Sequence, residues 1–183
     1  MFDPTAPPLA PLLRKLEYSG PLDESDRQAV LALPHTLKVI EPQGYIVRDG
    51  DTPTHSCLLR DGFVYRHKIV ADGARQICSI HMAGDMVDLQ NSLLGTADHS
   101  VQALTRAQVA FIPREAVRKI AFEHPAVGMA MWFDTLVDGS IFREWIANVG
   151  RRNARERIAH LMCEFSLRLE AAGLGNMPTT PCR

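Results

Sequence analysis

Between Thr36 and Ile112 the chain is punctuated by glycine turns: Gly44, Asp49-Gly50-Asp51, Asp61-Gly62, Asp72-Gly73 and Gly84-Asp85. This recurrence constrains the fold more than any other feature. Turns spaced roughly 8–12 residues apart leave room for single strands but not for the crossover helices that parallel strands need. The runs between them are apolar and β-rich, and predict strands at Leu37–Ile40, Tyr45–Arg48, Cys57–Arg60, Phe63–Val70, Arg75–His81, Ser100–Leu104 and Gln108–Ile112. Asp-Gly between such runs is a strong hairpin signal, because a type I′ turn needs positive φ at both central residues. Asp61-Gly62 and Asp72-Gly73 sit in that position. The expectation is an antiparallel sandwich or barrel.

Helical patterns flank this region. Met1 to Pro11 carries four prolines and predicts a loose tail, followed by one turn at Leu12, Leu13 and Leu16. Asp23 is a candidate N-cap, with Val30, Leu31 and Leu33 as a buried face and Pro34 as the stop. Beyond Ile112, Pro113 suits a first helical position and Arg114–Glu123 reads as a short helix. A long helix from Pro125 to about Val149 bears two apolar stripes, Ala130, Phe133, Val137, Ile141 and Trp145 on one and Trp132, Leu136 and Ile146 on the other. A surface helix needs one stripe, so two imply contact on both sides. Gly150 should break it. Asn153 with Glu156 reads as a capping box for a further helix, with Gly173 at its C′ position.

Composition excludes several classes. Twenty Lys+Arg against twenty-one Asp+Glu give a net charge of −1, no bulk attraction for nucleic acid or membrane. No apolar run approaches the roughly 20 residues of a membrane span, and no signal peptide is visible, so the chain reads as cytoplasmic. Its four cysteines form no C-x-x-C pair and read as plain thiols. Nucleophile-elbow, zincin, phosphate-loop and dinucleotide motifs are all lacking, no histidines pair at metal-ligand spacing, and no catalytic or metal residue is assigned. A cupin would need a His-x-His pair and a histidine where Val47 stands.

The succession Pro42-Gln43-Gly44, Asp49-Gly50-Asp51, Leu59-Arg60-Asp61-Gly62-Phe63-Val64 and Gly84-Asp85, then a Pro-led short helix and a long helix, resembles the cyclic-AMP receptor protein/fumarate–nitrate regulator (Crp-Fnr) superfamily over about residues 10–172. The resemblance implies an α+β fold: an antiparallel, jelly-roll-like β-roll with N-terminal helices, a long dimerisation helix and a further helix. It implies a sensor domain at 1–124, a dimerisation helix at 125–150 carrying Phe133, Val137, Ile141 and Trp145, and a hinge with the first helix of a DNA-binding module at 151–183.

Two departures shape the functional expectation. The family's ligand cassette reads Gly-Glu-Leu and, eleven residues on, Arg-Ser or Arg-Thr; its Glu takes the ribose hydroxyl and its Arg the cyclic phosphate. Here those positions are Asp88-Leu89-Gln90 and His99-Ser100, so these five are effector-pocket candidates and cyclic AMP is not the expected ligand. Haem is a further ligand class of some relatives, but Cys78 and His81 fall on opposite strand faces and no ligand pair stands out. The cofactor is therefore unknown. Second, the family's helix-turn-helix lies beyond Gly173, where ten residues remain.

The resemblance thus implies the effector-sensing and dimerisation region of a transcription regulator: a homodimer with an unknown small-molecule or redox effector, meeting DNA only through a module beyond this chain. Arg151, Arg152 and Arg155 are candidate phosphate contacts beside that module, or else a solvated hinge with an Arg152–Glu156 pair. The alternative function is a stand-alone small-molecule-binding or protein-interaction domain without a DNA role.

Overall fold

A computed structural model describes residues 6–171. The order is α1 (Ala10–Ser19), α2 (Glu24–Leu31), β1 (Thr36–Ile40), β2 (Tyr45–Val47), β3 (His55–Asp61), β4 (Val64–Ile69), β5 (Arg75–His81), a 3-10 turn (Leu89–Ser92), β6 (Ser100–Ala103), β7 (Ala107–Pro113), α3 (Arg114–Glu123), α4 (Pro125–Arg151) and α5 (Ala154–Ala171). Every strand pair is antiparallel, in two sheets ordered β1-β7-β3 and β2-β6-β4-β5. The antiparallel pairing is the one expected from the turn spacing, and the α+β roll is the one the resemblance implies.

Strand alternation divides the buried side chains into two cores. Cys57, Leu59, Ala107 and Val109 point into the roll, where Val47, Val64, Val87 and Val101 join them. Leu58, Ala110 and Ile112, at the intervening positions, point outward under α1, α2, α3 and the start of α4, against Leu9, Leu12, Leu16, Val30, Val117, Ile120 and Val127. β3 and β7 are therefore buried on both faces and show no polar alternation. Each fully buried Leu or Val contributes roughly 1.5–3 kcal/mol.

Asp72-Gly73 closes the β4–β5 hairpin, but only Gly73 has positive φ, so the turn is a type I turn with a left-handed glycine rather than type I′. Asp61-Gly62 joins no paired strands: β3 pairs with β7 while β4 pairs with β5 and β6, and the dipeptide turns the corner between sheets. Gly62 is needed there for its φ of 86° and because a Cβ would overlap the carbonyl of Arg106. The tail is shorter than expected, since Leu9 is fully buried and α1 already includes Ala10 and Pro11. Pro113 ends β7, opposite His55, and α3 begins one residue later. Asp23 caps α2 through a capping box with Asp26.

Gly150 does not break α4, which continues to Arg151. Glycine costs only about 1 kcal/mol in a helix, and the break falls where Arg152 is extended and the Asn153–Glu156 box starts α5. The expected Gly173 cap lies outside the described residues.

Candidate functional site

Three regions of the structure bear on function: the cassette, a buried charge cluster, and the outer face of α4. In the cassette, each polar side chain is engaged by the protein itself. Asp88 is buried, and its Oδ1 accepts the Cys57 N–H at 2.6 Å. Ser100 Oγ accepts the Asp49 N–H at 3.0 Å. Gln90 Nε2 lies 3.4 Å from His99 Nε2, and His99 Nδ1 meets Asp98 Oδ1 at 2.7 Å. Leu89 packs on the outer core below the helices. The structure thus brings Gln90, His99 and Ser100 to one end of the roll, while Asp88 is buried against β3 and Leu89 lies on the helical side.

Burial, with the Arg66 charge next, pushes the His99 imidazole below its ordinary value. His67 is shifted the same way, by burial and then by Arg75. Neither offers the fixed cation that a phosphate needs.

Burial pushes the Asp88 carboxyl up to about 6, against the pull of the Cys57 N–H. Its Oδ2 and both amide atoms of Asn91 lack hydrogen-bond partners among the described residues. An acid whose folded pKa exceeds its unfolded value binds extra protons when folded, so stability falls as pH climbs from about 4 to 6 and the cost is complete above that window. Asp88→Asn keeps the accepting oxygen and deletes the charge. Urea denaturation should give the variant about 1–3 kcal/mol more stability at pH 7.5, shrinking to nothing near pH 4. A variant less stable than the parent at pH 7.5 contradicts this account.

The second region lies where α1, the Met82–Asp85 turn, α4 and α5 converge. Asp85 is buried, accepts the Met82 N–H at 3.0 Å, and forms ion pairs with Lys15 of α1 and Arg168 of α5. Lys15 also reaches Asp134 Oδ1 at 3.0 Å, and Arg168 reaches Glu164 Oε1 at 3.0 Å and the Ile80 carbonyl at 2.7 Å. His81, fully buried between Ser79 Oγ and Asp85, is pushed by burial down to about 4 and is neutral near pH 7. Although burial opposes it, the cationic neighbours hold the Asp85 carboxyl well below the usual range. On the next turn of α4, Asp138 pairs with buried Arg66 at 3.1 Å, and Arg66 Nε donates to the Val87 carbonyl at 2.8 Å. A cavity of about 150 Å³ sits beside this cluster, walled by Met82, Phe133, Val137 and Ile141 among others.

Sequence reasoning missed this cluster. The available signal was Asp134 and Asp138, acids one turn apart beside the apolar stripe of α4.

On α4, the stripe Phe133, Val137, Ile141 turns toward the cavity, and Trp145 Nε1 donates to Glu164 of α5 at 2.9 Å. Phe133 and Val137 remain partly exposed. The other stripe, with Met129, is the more open one: Met129, Trp132, Leu136 and Ile146 are all more than half exposed. At the hinge, Arg151 and Arg155 are exposed and unpaired among the described residues, but Arg152 is engaged. It does not pair with Glu156, which is occupied by the capping box; Arg152 reaches back to Glu144 at 3.1 Å and Asn148 Oδ1 at 2.6 Å.

Residues 37–124 match the family described as Cyclic nucleotide-binding domain. The chain is 26% identical over 129 residues to a probable transcriptional activator of Rhizobium leguminosarum bv. viciae, covering 70% of this chain and 53% of that one. It is 28% identical over 140 residues to the fumarate nitrate reduction regulatory protein of Klebsiella oxytoca, covering 74% and 54%. The chain spans about half the length of the curated relatives it matches. Its fold is similar to that of FixK2 from Bradyrhizobium japonicum, with a TM-score of 0.68, 23% identity, and coverage of 74% of this chain and 68% of that one. These relatives are regulators and not enzymes, and no helix among the described residues is long and apolar enough to cross a membrane.

Proposed function

We propose that this chain is the effector-sensing and dimerisation region of a Crp-Fnr transcription regulator, answering a signal other than a cyclic nucleotide; the match of residues 37–124 to the cyclic nucleotide-binding domain family and the similarity to two regulators support this. One observation carries this reading: the cassette's polar side chains bond within the protein itself, while a single long helix runs from the roll to the hinge with an apolar seam left open. A helix of 27 residues is about 40 Å long. Arg66–Asp138 ties it to the roll and Trp145–Glu164 ties it to α5. A small displacement at the roll then becomes a change in the pose of α5, the first helix of the DNA-reading module. Two copies pair along Met129, Trp132, Leu136 and Ile146, with Phe133 and Val137 flanking the seam and Ile141 and Trp145 kept within the protomer. Arg151 and Arg155 supply phosphate contacts beside the module, which position without reading sequence.

The test is calorimetry with cyclic AMP and cyclic GMP. The cassette's acidic ribose acceptor and its arginine are replaced here by Leu89 and His99. Charge-assisted hydrogen bonds contribute about 1.5–3 kcal/mol each, so losing two turns a micromolar site into one near millimolar. The expected result is no binding tighter than about 10 μM. A tighter constant for either nucleotide overturns the reading.

A further inference from the structure

We propose that the cavity between α1, the Met82–Asp85 turn, α4 and α5 binds an uncharged single-ring aromatic molecule that carries a hydrogen-bond donor, an aromatic alcohol being the simplest case. This deepens the sensor reading and rests on it, since the occupied cavity is the place where a signal meets the hinge.

The volume of about 150 Å³ sets the size. A space of that size takes a single-ring molecule, and this one opens to the surface past Tyr18, Phe133 and Val137, which gives a ligand a way in. Tyr18, Met82, Phe133, Val137 and Ile141 supply the walls, and a thioether beside an aromatic ring is a favourable neighbour. The lining also fixes the charge. Arg14, Lys15 and Arg168 in the lining are matched by Asp85, Asp134 and Asp138, and Lys15, Arg168 and Asp85 are already paired, so a ligand carboxylate meets no surplus of positive charge and no buried cation that lacks a partner. Asp134 provides the polar anchor. Its side chain is 14% exposed and, among the described residues, its one partner is Lys15 at Oδ1, which leaves Oδ2 to accept from a ligand hydroxyl. Burial holds its carboxyl above the usual value. Because α1, α4 and α5 each contribute lining side chains, an occupant bridges the roll, the long helix and the post-hinge helix at once.

The experiment titrates the 183-residue chain, labelled with carbon-13 at its methionine methyls, with benzyl alcohol. Met82, 2% exposed and in the wall, should shift saturably with a half-point roughly below 1 mM, while Met162, exposed on α5, stays put. Benzoate, of similar size but charged, should bind at least about tenfold more weakly. Val137→Trp, which fills the void, should abolish the Met82 response. Asp134→Asn should narrow the gap between the two ligands while retaining the alcohol, which keeps the test open if the tryptophan variant fails to fold. A Met82 methyl indifferent to benzyl alcohol, benzoate binding as tightly as the alcohol, or an undiminished response in folded Val137→Trp would each overturn the proposal. A dimeric chain indifferent to the alcohol removes this site and leaves the sensor reading standing. A chain that takes the alcohol but never dimerises keeps the site and removes that reading.

Discussion

Asp85→Ala is expected to lower the unfolding free energy by about 3–5 kcal/mol at pH 7, the scale seen when one member of a buried ion pair is deleted. The carboxylate holds together groups from three elements. Without it, among the described residues, Lys15 retains only Asp134, Arg168 retains only Glu164 and the Ile80 carbonyl, and the Met82 N–H loses its acceptor. The loss should depend on pH with a definite sign. Asp85 titrates far below its unfolded value of 3.8, so its stabilisation is present above about pH 4 and fades as the solution becomes more acidic. The gap between parent and variant should therefore narrow below about pH 4. His81, with a folded value of about 4, adds a separate slope: the parent gains stability as pH rises from about 4 to 6.5. Urea denaturation at pH 7 and pH 3.5 measures both. A loss under about 1 kcal/mol at pH 7 would mean that the cluster is solvated in a way its burial does not suggest.

Leu136→Asp should weaken the dimer by about a thousandfold or more. Each leucine removed from a buried seam forfeits about 2 kcal/mol. A two-fold interface counts the loss twice, before the cost of burying two facing carboxylates. Light scattering at tens of micromolar should report a dimer for the parent and a monomer for the variant. Ile141→Asp makes the contrast, because Ile141 lines the intramolecular cavity. It should leave the oligomeric state alone and lower the melting temperature. A parent chain that is monomeric at these concentrations contradicts the proposed seam.

Most of the fold was legible because its signals are local. Turn glycines, the Asp23 and Asn153 caps and the period of the helices each act within a few residues. Arg75–His81 and Arg114–Glu123 are observed at the expected boundaries. What could not be read was pairing. Asp61-Gly62 carries the same letters whether it closes a hairpin or turns a corner, and only the long-range partnership of β3 with β7 decides between them. The site follows the same division. The loss of the cassette's glutamate and arginine is a fact of single positions. The cluster around Asp85 joins residues 70 and 83 positions apart, and no periodicity announces such a meeting.

The double burial of β3 and β7 has a mechanical consequence. These strands form a partition between two close-packed compartments, and close-packed interiors compress very little. A displacement of Leu59 or Val109 on one side cannot be absorbed there, because Leu58 and Ala110, on the same backbone, are already in contact with the helical layer. The wall must shift as a piece, carrying the seats of α1, α3 and the first turns of α4 with it. The two compartments are therefore one unit of cooperativity, and neither can loosen while the other stays native.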